Sequence, residues 1–434
     1  MKSITFMTIG CKLNRFETEQ MREAAEDCGY TTDRQSARAD IYVINTCAVT
    51  SKSDCRSRQA VRRAIRANPR ALIIVTGCYA QRSPQTVAEI AGVDLVIGNA
   101  EKDNIEAYLE IAKRAEPLVE VGKIDHTGEL RSRRDLHGFG GYTRAFVKIQ
   151  DGCDNRCTYC AVPSARGRSR SKSPADVGRE IENLVQTGFQ EAVLTGVHLG
   201  SYGRDLVPQT SLAELLRRIA PTDRLSRLRL SSVEPTDLSA DLIRFLGDRT
   251  SKLCRHVHVP LQSGDDGILR AMGRPYGGAR YRAVIESVAA RVPDCGIGAD
   301  VMVGFPGEDE RAFANTYDLL KSLPITYLHV FGFSPREGTP ALGLAGQVDP
   351  ETKRKRSGII RQLGCEKSLS FRQSLVGKTL ETIVLGLTIG GHAVGLSDNY
   401  VRIFFDGDPA PNTIVRARIK SIRDGGLEAT TCGD

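Results

Sequence analysis

The sequence predicts an α/β protein in three parts: an N-terminal open parallel α/β domain, a central partial (βα)6 barrel, and a C-terminal small all-β barrel. Three observations predict it. Short apolar runs alternate with helical periodicity over residues 1–125, and a second, longer alternation fills 142–368. From 371 to 434 short strands follow one another between turn signals, with no helical period. A polar, basic, glycine-rich stretch at 126–141, HTGELRSRRDLHGFGG, reads as the linker between the first two parts. With 434 residues the chain is too long for one ordinary core.

In the first part, ITFMTIG (4–10), DIYVINT (40–46), LIIVTG (72–77) and DLVIGN (94–99) are predominantly apolar runs, as strands covered on both faces are. Helical patterns lie between them at Phe16–Cys28, Ser53–Ala67 and near Pro84–Ala91. In the second part the strands are RAFVKIQ (144–150), EAVLTG (191–196), RLRLSSV (227–233), HVHVPL (256–261), GADVMVGF (298–305) and YLHVFGF (327–333). Helices are expected at Pro174–Thr187, Leu212–Ile219, Tyr281–Val292 and Asp309–Leu323. Six βα units make a partial barrel, whose chemistry belongs at the C-terminal ends of its strands. After a charged helical segment at 350–370, the runs GKTLETIVLG, HAVGLSD, NYVRIFFDG and NTIVRARIKSIRDG read as the strands of the small barrel, whose charges balance.

Composition excludes several classes. No apolar run approaches the ~20 residues needed to cross a bilayer, so no membrane is expected. The start, MKSITFMTIGCKLN, has no small-residue cleavage site and reads as a buried first strand rather than a secretory signal. A cytoplasmic location follows, where thiols stay reduced and clustered cysteines are metal ligands rather than disulfides. The net charge of +8 permits a nucleic-acid partner without demonstrating one.

Six of the 12 cysteines carry a pattern. DGCDNRCTYC, residues 151–160, places Cys153, Cys157 and Cys160 directly after the first barrel strand, at the catalytic mouth. A closed zinc site wants four ligands. A four-iron cluster held by three thiolates leaves one iron open for chemistry. Cys11, Cys47 and Cys78 each end an apolar strand, and in an open parallel sheet those ends share one edge. Gly10 and Gly77 let the backbone come close to something bulky there. A second cluster with an open iron is one reading, and three buried small hydrophobes the other. Cys28 and Cys295 lie near helix ends as packing residues.

The CxxxCxxC spacing resembles the radical S-adenosylmethionine (SAM) superfamily. The resemblance implies that Cys153, Cys157 and Cys160 ligate three irons of a [4Fe-4S] cluster, with SAM on the fourth. Reduction then cleaves SAM to a 5′-deoxyadenosyl radical able to abstract hydrogen from an unactivated C–H. A three-cysteine α/β domain ahead of this core and a small β-barrel behind it resemble the methylthiotransferases over nearly the whole chain. ARGRSRS (165–171), LSSVEP (230–235), HVHVPLQSG (256–264), VGFPGE (303–308) and SPREGTPA (334–341) match as well. The family implies a second [4Fe-4S] cluster on Cys11, Cys47 and Cys78, associated with sulfur delivery, and a TRAM-like RNA-binding barrel at the C-terminus.

GCKLNRFETE and NTCAVT resemble the branch acting on N6-threonylcarbamoyladenosine beside the anticodon. The isopentenyladenosine branch has a Gln-Met-Asn flavour after the first cysteine, and the branch modifying a ribosomal-protein aspartate has Pro-Lys-Asn. Here Lys12, Leu13 and Asn14 follow. The implied reaction is methylthiolation of C2 of that nucleoside at position 37, giving 2-methylthio-N6-threonylcarbamoyladenosine. The implied partners are the tRNA anticodon loop, an electron donor such as flavodoxin or ferredoxin, and a sulfur donor. The alternatives are the two sister substrates, or a non-catalytic iron–sulfur RNA-binding protein.

Further site residues are placed by strand ends. Thr195, Gly196, Ser232, Glu234 and Gln262 finish successive barrel strands, where the resemblance implies contacts to SAM. Glu234 is the choice for a ribose hydroxyl, from which a carboxylate accepts. Ser231, Ser232 and Thr195 read equally well as loop caps. His256 and His258 share a strand face as core or pocket residues, and no acid–base side chain is assigned. Arg58, Arg62 and Arg66 mark one helix face, with Arg56 and Arg63 nearby, which reads equally as an RNA surface or a solvated face, and Arg166, Arg168, Arg170 and Lys172 follow the cysteine loop as RNA candidates. Arg166 or Arg168 is expected to pair with the carboxylate of the threonylcarbamoyl group, since a guanidinium binds a carboxylate bidentately.

Overall fold

The computed structural model describes residues 2–32, 38–113, 115–124, 130 and 136–432. Most of the expected linker, 126–129 and 131–135, lies outside the described residues. The chain divides into two compact units: 1–136 with 150–172 and 334–342, and 137–149 with 173–333 and 343–434. This differs from the three consecutive parts expected. The cysteine loop that follows the first barrel strand belongs with the N-terminal unit, and the C-terminal barrel shares a unit with the large barrel.

The first unit is built on a parallel six-stranded sheet of order β2-β1-β3-β4-β5-β6, with β1 Ser3–Thr8, β2 Thr31–Thr32, β3 Ile41–Thr46, β4 Leu72–Gly77, β5 Leu95–Ile97 and β6 Leu118–Glu120. β3 and β4 are buried at every position, which is what continuous β-branched runs permit when both faces are covered. Ile41 and Val43 face the helix α1, Lys12–Asp27, packing with Met21, Ala24 and Ala25. Tyr42 and Ile44 face the opposite way, with Val61 and Ala64 of α2, Ser51–Ala67. Thr50 caps α2 by accepting from the Ser53 amide. α1 begins four residues ahead of the expected Phe16, with Cys11 at its N-cap. β2, of two residues, is too short to leave a pattern in the sequence, and β6 was not expected.

In the second unit all six expected barrel strands are present: β7 Arg144–Lys148, β8 Glu191–Thr195, β9 Arg227–Leu230, β10 His256–His258, β11 Gly296–Val303 and β12 Tyr327–Gly332. They form the parallel runs β9-β8-β7 and β10-β11-β12, linked by bridges at Leu228–Leu253 and Ser232–His258. Short helices at Ala240–Gly247 and Asp266–Ala271, capped by Ser239 and Asp265, were not expected. One or two turns give too short a period to read.

The helix α3, Pro350–Leu375, runs without a break through the boundary expected at 368–371. It leads into a closed five-stranded barrel of order β13-β14-β15-β17-β16, with β13 Thr379–Ile389, β14 His392–Ser397, β15 Arg402–Phe405, β16 Ile414–Arg423 and β17 Gly426–Thr431. Its core joins Leu380, Ile403, Phe405, Ile419 and Leu427 to Leu375 of α3.

Buried charge ties this barrel to the larger one. Glu191, Arg227 and Arg229 are each at most 1% exposed. Arg229 pairs with Glu191 at 2.8 Å, and Arg227 with Glu381 at 2.8 Å. Their remaining donors reach the carbonyls of Glu381, Leu396, Ser397 and Asp398. Such buried guanidinium groups are tolerated because their donors are satisfied.

Candidate iron–sulfur centres and barrel interior

Cys11, Cys47 and Cys78 follow β1, β3 and β4, three adjacent strands, and the structure brings them to one sheet edge. Cys47 is buried, Cys78 half-buried and Cys11 exposed. Burial pushes the Cys47 thiol up to about 11, and the thiolate charges of Cys11 and Cys78 add to the rise. Gly10, at φ +110°, lies against Cys47: a Cβ there would stand 2.7 Å from the Cys47 Cβ and 2.9 Å from its Sγ. Gly77, at φ +94°, has no room for a Cβ beside the Thr46 backbone. Both glycines are therefore required by close approach. Asn14 holds the edge together, donating to the carbonyls of Ile9 (2.8 Å) and Thr46 (2.9 Å) while its Oδ1 lies 3.7 Å from the Cys11 sulfur. Asn99 Nδ2 approaches the Cys78 sulfur at 3.9 Å. An all-sulfur donor set on glycine-lined backbone fits an iron–sulfur cluster.

Cys153, Cys157 and Cys160 lie in the same unit, on a loop bracketed by the antiparallel pair Gln150–Asp151 and Arg170–Ser171. All three are half-buried. The Cys153 amide donates to Gly167 O (3.1 Å), the Cys160 amide to Cys157 O (3.1 Å), and the Val162 amide to the Cys160 sulfur (3.4 Å). Gln150 pins the loop base by donating to the carbonyls of Asp151 and Gly152 and to Ser169. The stretch 334–342 packs on the same unit, where Ala341 N donates to Thr158 O (2.9 Å) and Arg336 pairs with Asp54 at 2.7 Å. Three sulfurs on one short loop fit a cluster with one iron left for SAM.

Arg166 requires a correction. It is 4% exposed, and it donates to Glu17 (2.8 and 3.1 Å), Asp151 (3.0 and 3.2 Å) and Asn14 Oδ1 (2.8 Å). A guanidinium committed to two buried carboxylates does not receive a third from a substrate. Lys172 likewise turns inward, its ammonium 5.3 Å from the Phe16 ring centroid. The expected row of cations after the loop is thus split. Arg168 alone of the two expected carboxylate partners points outward, with its side chain 84% exposed and Asp154 at 3.4 Å. On α2, Arg56, Arg62, Arg63 and Arg66 are exposed as expected, while Arg58 donates to the Tyr79 hydroxyl at 3.0 Å.

The strand-end residues lie in the second unit. Thr195 ends β8, buried, with Gly196 half-buried after it. Ser232 hydrogen-bonds His258 Nδ1 at 2.7 Å. The buried Ser231 hydroxyl has no hydrogen-bond partner among the described residues, which suits a polar ligand. Glu234 pairs with Arg274, and burial nevertheless raises its carboxyl above the usual range. Gln262 stands at φ +69°, bonded through its backbone to Asp300 and Met302. Sequence reasoning missed a neighbouring cluster: His258 Nε2 and His329 Nδ1 both lie 3.3 Å from Asp300 Oδ1. Burial alone would raise the Asp300 carboxyl, but the two imidazoles hold it well below the usual range. Only parallel register could have shown it, since Asp300 lies opposite His329 on β11 and β12.

Fold and cysteine pattern together define a radical SAM protein. Residues 147–320 match the radical SAM superfamily, and residues 3–98 match the uncharacterized protein family UPF0004. The fold resembles the structure of a radical S-adenosylmethionine methyltransferase, TsrM, from Kitasatospora setae with cobalamin and a [4Fe-4S] cluster bound (TM-score 0.57, 16% identity, 79% of this chain and 77% of that one). Among curated relatives, the threonylcarbamoyladenosine tRNA methylthiotransferase of Bacillus subtilis (strain 168) is 37% identical over 94% of this chain and 91% of its own length. The tRNA-2-methylthio-N(6)-dimethylallyladenosine synthase of Parafrankia sp. (strain EAN1pec) is 36% identical over 88% and 78%. The chain belongs to the methylthiotransferase family of radical SAM enzymes.

Proposed function

We propose that this chain methylthiolates C2 of N6-threonylcarbamoyladenosine at position 37 of tRNA. The observation that carries the reading is the gathering of two three-cysteine sets in one unit. Near-full-length relatives at 33–37% identity named for this substrate support it. SAM and two [4Fe-4S] clusters supply the hydrogen-abstracting radical and the route for sulfur. Cys153, Cys157 and Cys160 would hold the first cluster, and Cys11, Cys47 and Cys78 the second. Thr195, Gly196, Ser232, Glu234 and Gln262 are proposed to contact SAM.

The chain's own part is placement. A radical is indiscriminate, so selectivity rests on which carbon is held within reach. The target base must leave the stacked anticodon loop to enter, in keeping with RNA recognition through unstacked bases. Arg168, beside the cysteine loop and exposed, is the cation proposed for the threonylcarbamoyl carboxylate. An electron donor of flavodoxin or ferredoxin type and a sulfur donor complete the reaction, in the cytoplasm. No helix among the described residues is long and apolar enough to cross a membrane.

Nucleoside mass spectrometry of tRNA from cells with and without the chain tests the product. In vitro, two tRNAs differing only in the threonylcarbamoyl group test the substrate. Turnover confined to the threonylcarbamoyl form is expected, and turnover confined to the isopentenyl form would refute the branch.

A further inference from the structure

A cavity of about 260 Å³ lies where β12, α3 and the C-terminal barrel meet. Its walls are aromatic and cationic: Tyr327 and His329 of β12, Phe371 and Arg372 of α3, Tyr400 in the turn before β15, and Arg402 at the start of β15. No carboxylate lines it among the described residues. Arg372 donates to the carbonyls of Ser368 (3.2 Å) and Arg423 (3.3 Å), and neither Arg372 nor Arg402 pairs with a carboxylate among the described residues. The arginines Arg227, Arg229 and Arg255 of the same unit are all paired with acids. Two uncompensated guanidinium groups beside a cavity attract an anion.

The rings give the second half of the specificity. Tyr400 stacks on His256 (centroids 4.2 Å, 24°) and lies 5.9 Å from Tyr327, which is 5.3 Å from His329. Tyr400 stands at φ +71°, where a bulky side chain is disfavoured. A local turn holds it there, Tyr400 N donating to Ser397 O (3.0 Å) and Ser397 N to Val401 O (2.9 Å). The turn itself would take glycine or asparagine at lower cost, so strain is accepted for the sake of the ring.

Resting on the tRNA reading above, we propose that this cavity receives one unstacked nucleotide of the substrate RNA. Its base would lie against Tyr400 and Tyr327, and its phosphate against Arg372 and Arg402. Aromatic faces with unpaired cations bind single-stranded RNA in this way, without needing base-specific hydrogen bonds.

The test uses the full-length holoenzyme and an anticodon stem-loop RNA, with affinity measured by fluorescence anisotropy across a salt series. Arg372→Gln with Arg402→Gln should weaken binding about tenfold and reduce the salt slope by roughly the 0.7–0.9 expected for each phosphate no longer neutralised. Tyr400→Asn, which suits the left-handed turn, should weaken binding about tenfold, while Tyr400→Phe keeps wild-type affinity. Thermal midpoints near wild type in each variant show that the barrel is intact. Unchanged affinity and salt slope in the arginine variant, with wild type binding, overturn the subsite alone. Weakened binding of free adenosine monophosphate with unchanged stem-loop affinity also overturns it. Wild type that binds the stem-loop but never turns over the threonylcarbamoyl form overturns the substrate reading alone.

Discussion

Replacing Arg166 with alanine should remove the cation shared by two buried carboxylates of the first unit. Glu17 is 2% exposed and keeps Lys102 at 2.5 Å, and Asp151, 5% exposed, keeps the Gly152 amide at 2.8 Å but loses the guanidinium that lies 3.0 Å away. Breaking a buried ion pair from one side costs about 3–5 kcal/mol. At ~2–4 °C per kcal/mol for a unit of this size, the thermal midpoint should fall by roughly 10 °C. Iron content should fall with it, because Arg166 also holds Asn14, which ties the loops carrying Cys11 and Cys47. Arg166→Met with Asp151→Asn removes both charges and should recover much of the stability, the signature of a desolvated charge rather than of a missing substrate partner. Calorimetry and iron analysis of the three proteins decide it. An Arg166→Ala protein with wild-type midpoint and full iron that no longer discriminates between modified and unmodified adenosine would refute the reasoning.

Anaerobic reconstitution should give about eight irons, and about four after changing Cys153, Cys157 and Cys160 to alanine; saturation of wild type at one cluster contradicts this. The Cys11/Cys47/Cys78 triple variant should still form 5′-deoxyadenosine without methylthiolated product, and equal loss of SAM cleavage in both folded triples would remove the division of roles. Gly10→Ala puts a methyl 2.7 Å from the Cys47 Cβ at φ +110°, so it should lose about half the iron while SAM cleavage persists; full iron loading refutes the packing argument. Burial alone would raise the Glu191 carboxyl, but Arg229, Arg227 and Arg144 hold it down to about 2, from an ordinary 4.5. A depressed carboxylate contributes stability above its unfolded pKa and loses it as pH falls through the folded one. Urea midpoints should therefore drop between pH 4.5 and 2, and Glu191→Gln should flatten that acid limb; an identical limb in the variant assigns it elsewhere.

Features that repeat or cluster along the chain were legible before folding. The runs at 41–46 and 72–77 declared strands buried on both faces because nothing charged interrupts them. The six barrel strands were legible as short runs rich in β-branched and apolar residues between helical patterns, even where Lys148, Arg229 or Asp300 interrupts them, with ends shifted by a few residues. The cysteines were legible because a parallel sheet sends every strand end to one edge, so position along each strand already implies convergence. Periodicity declares which face a side chain takes, but not its partner. Arg166 looked like one of a basic row, and only folding set it against Glu17, 149 residues away. Arg227 and Arg229 sat inside an unremarkable strand until Glu191 and the C-terminal barrel enclosed them. His258, Asp300 and His329 come from three strands, and Tyr327, Arg372 and Tyr400 from three elements. These groupings arise only in the folded chain, because charge pairing, desolvation and ring packing act through space, and residues far apart in sequence carry no local mark of the neighbour they will meet.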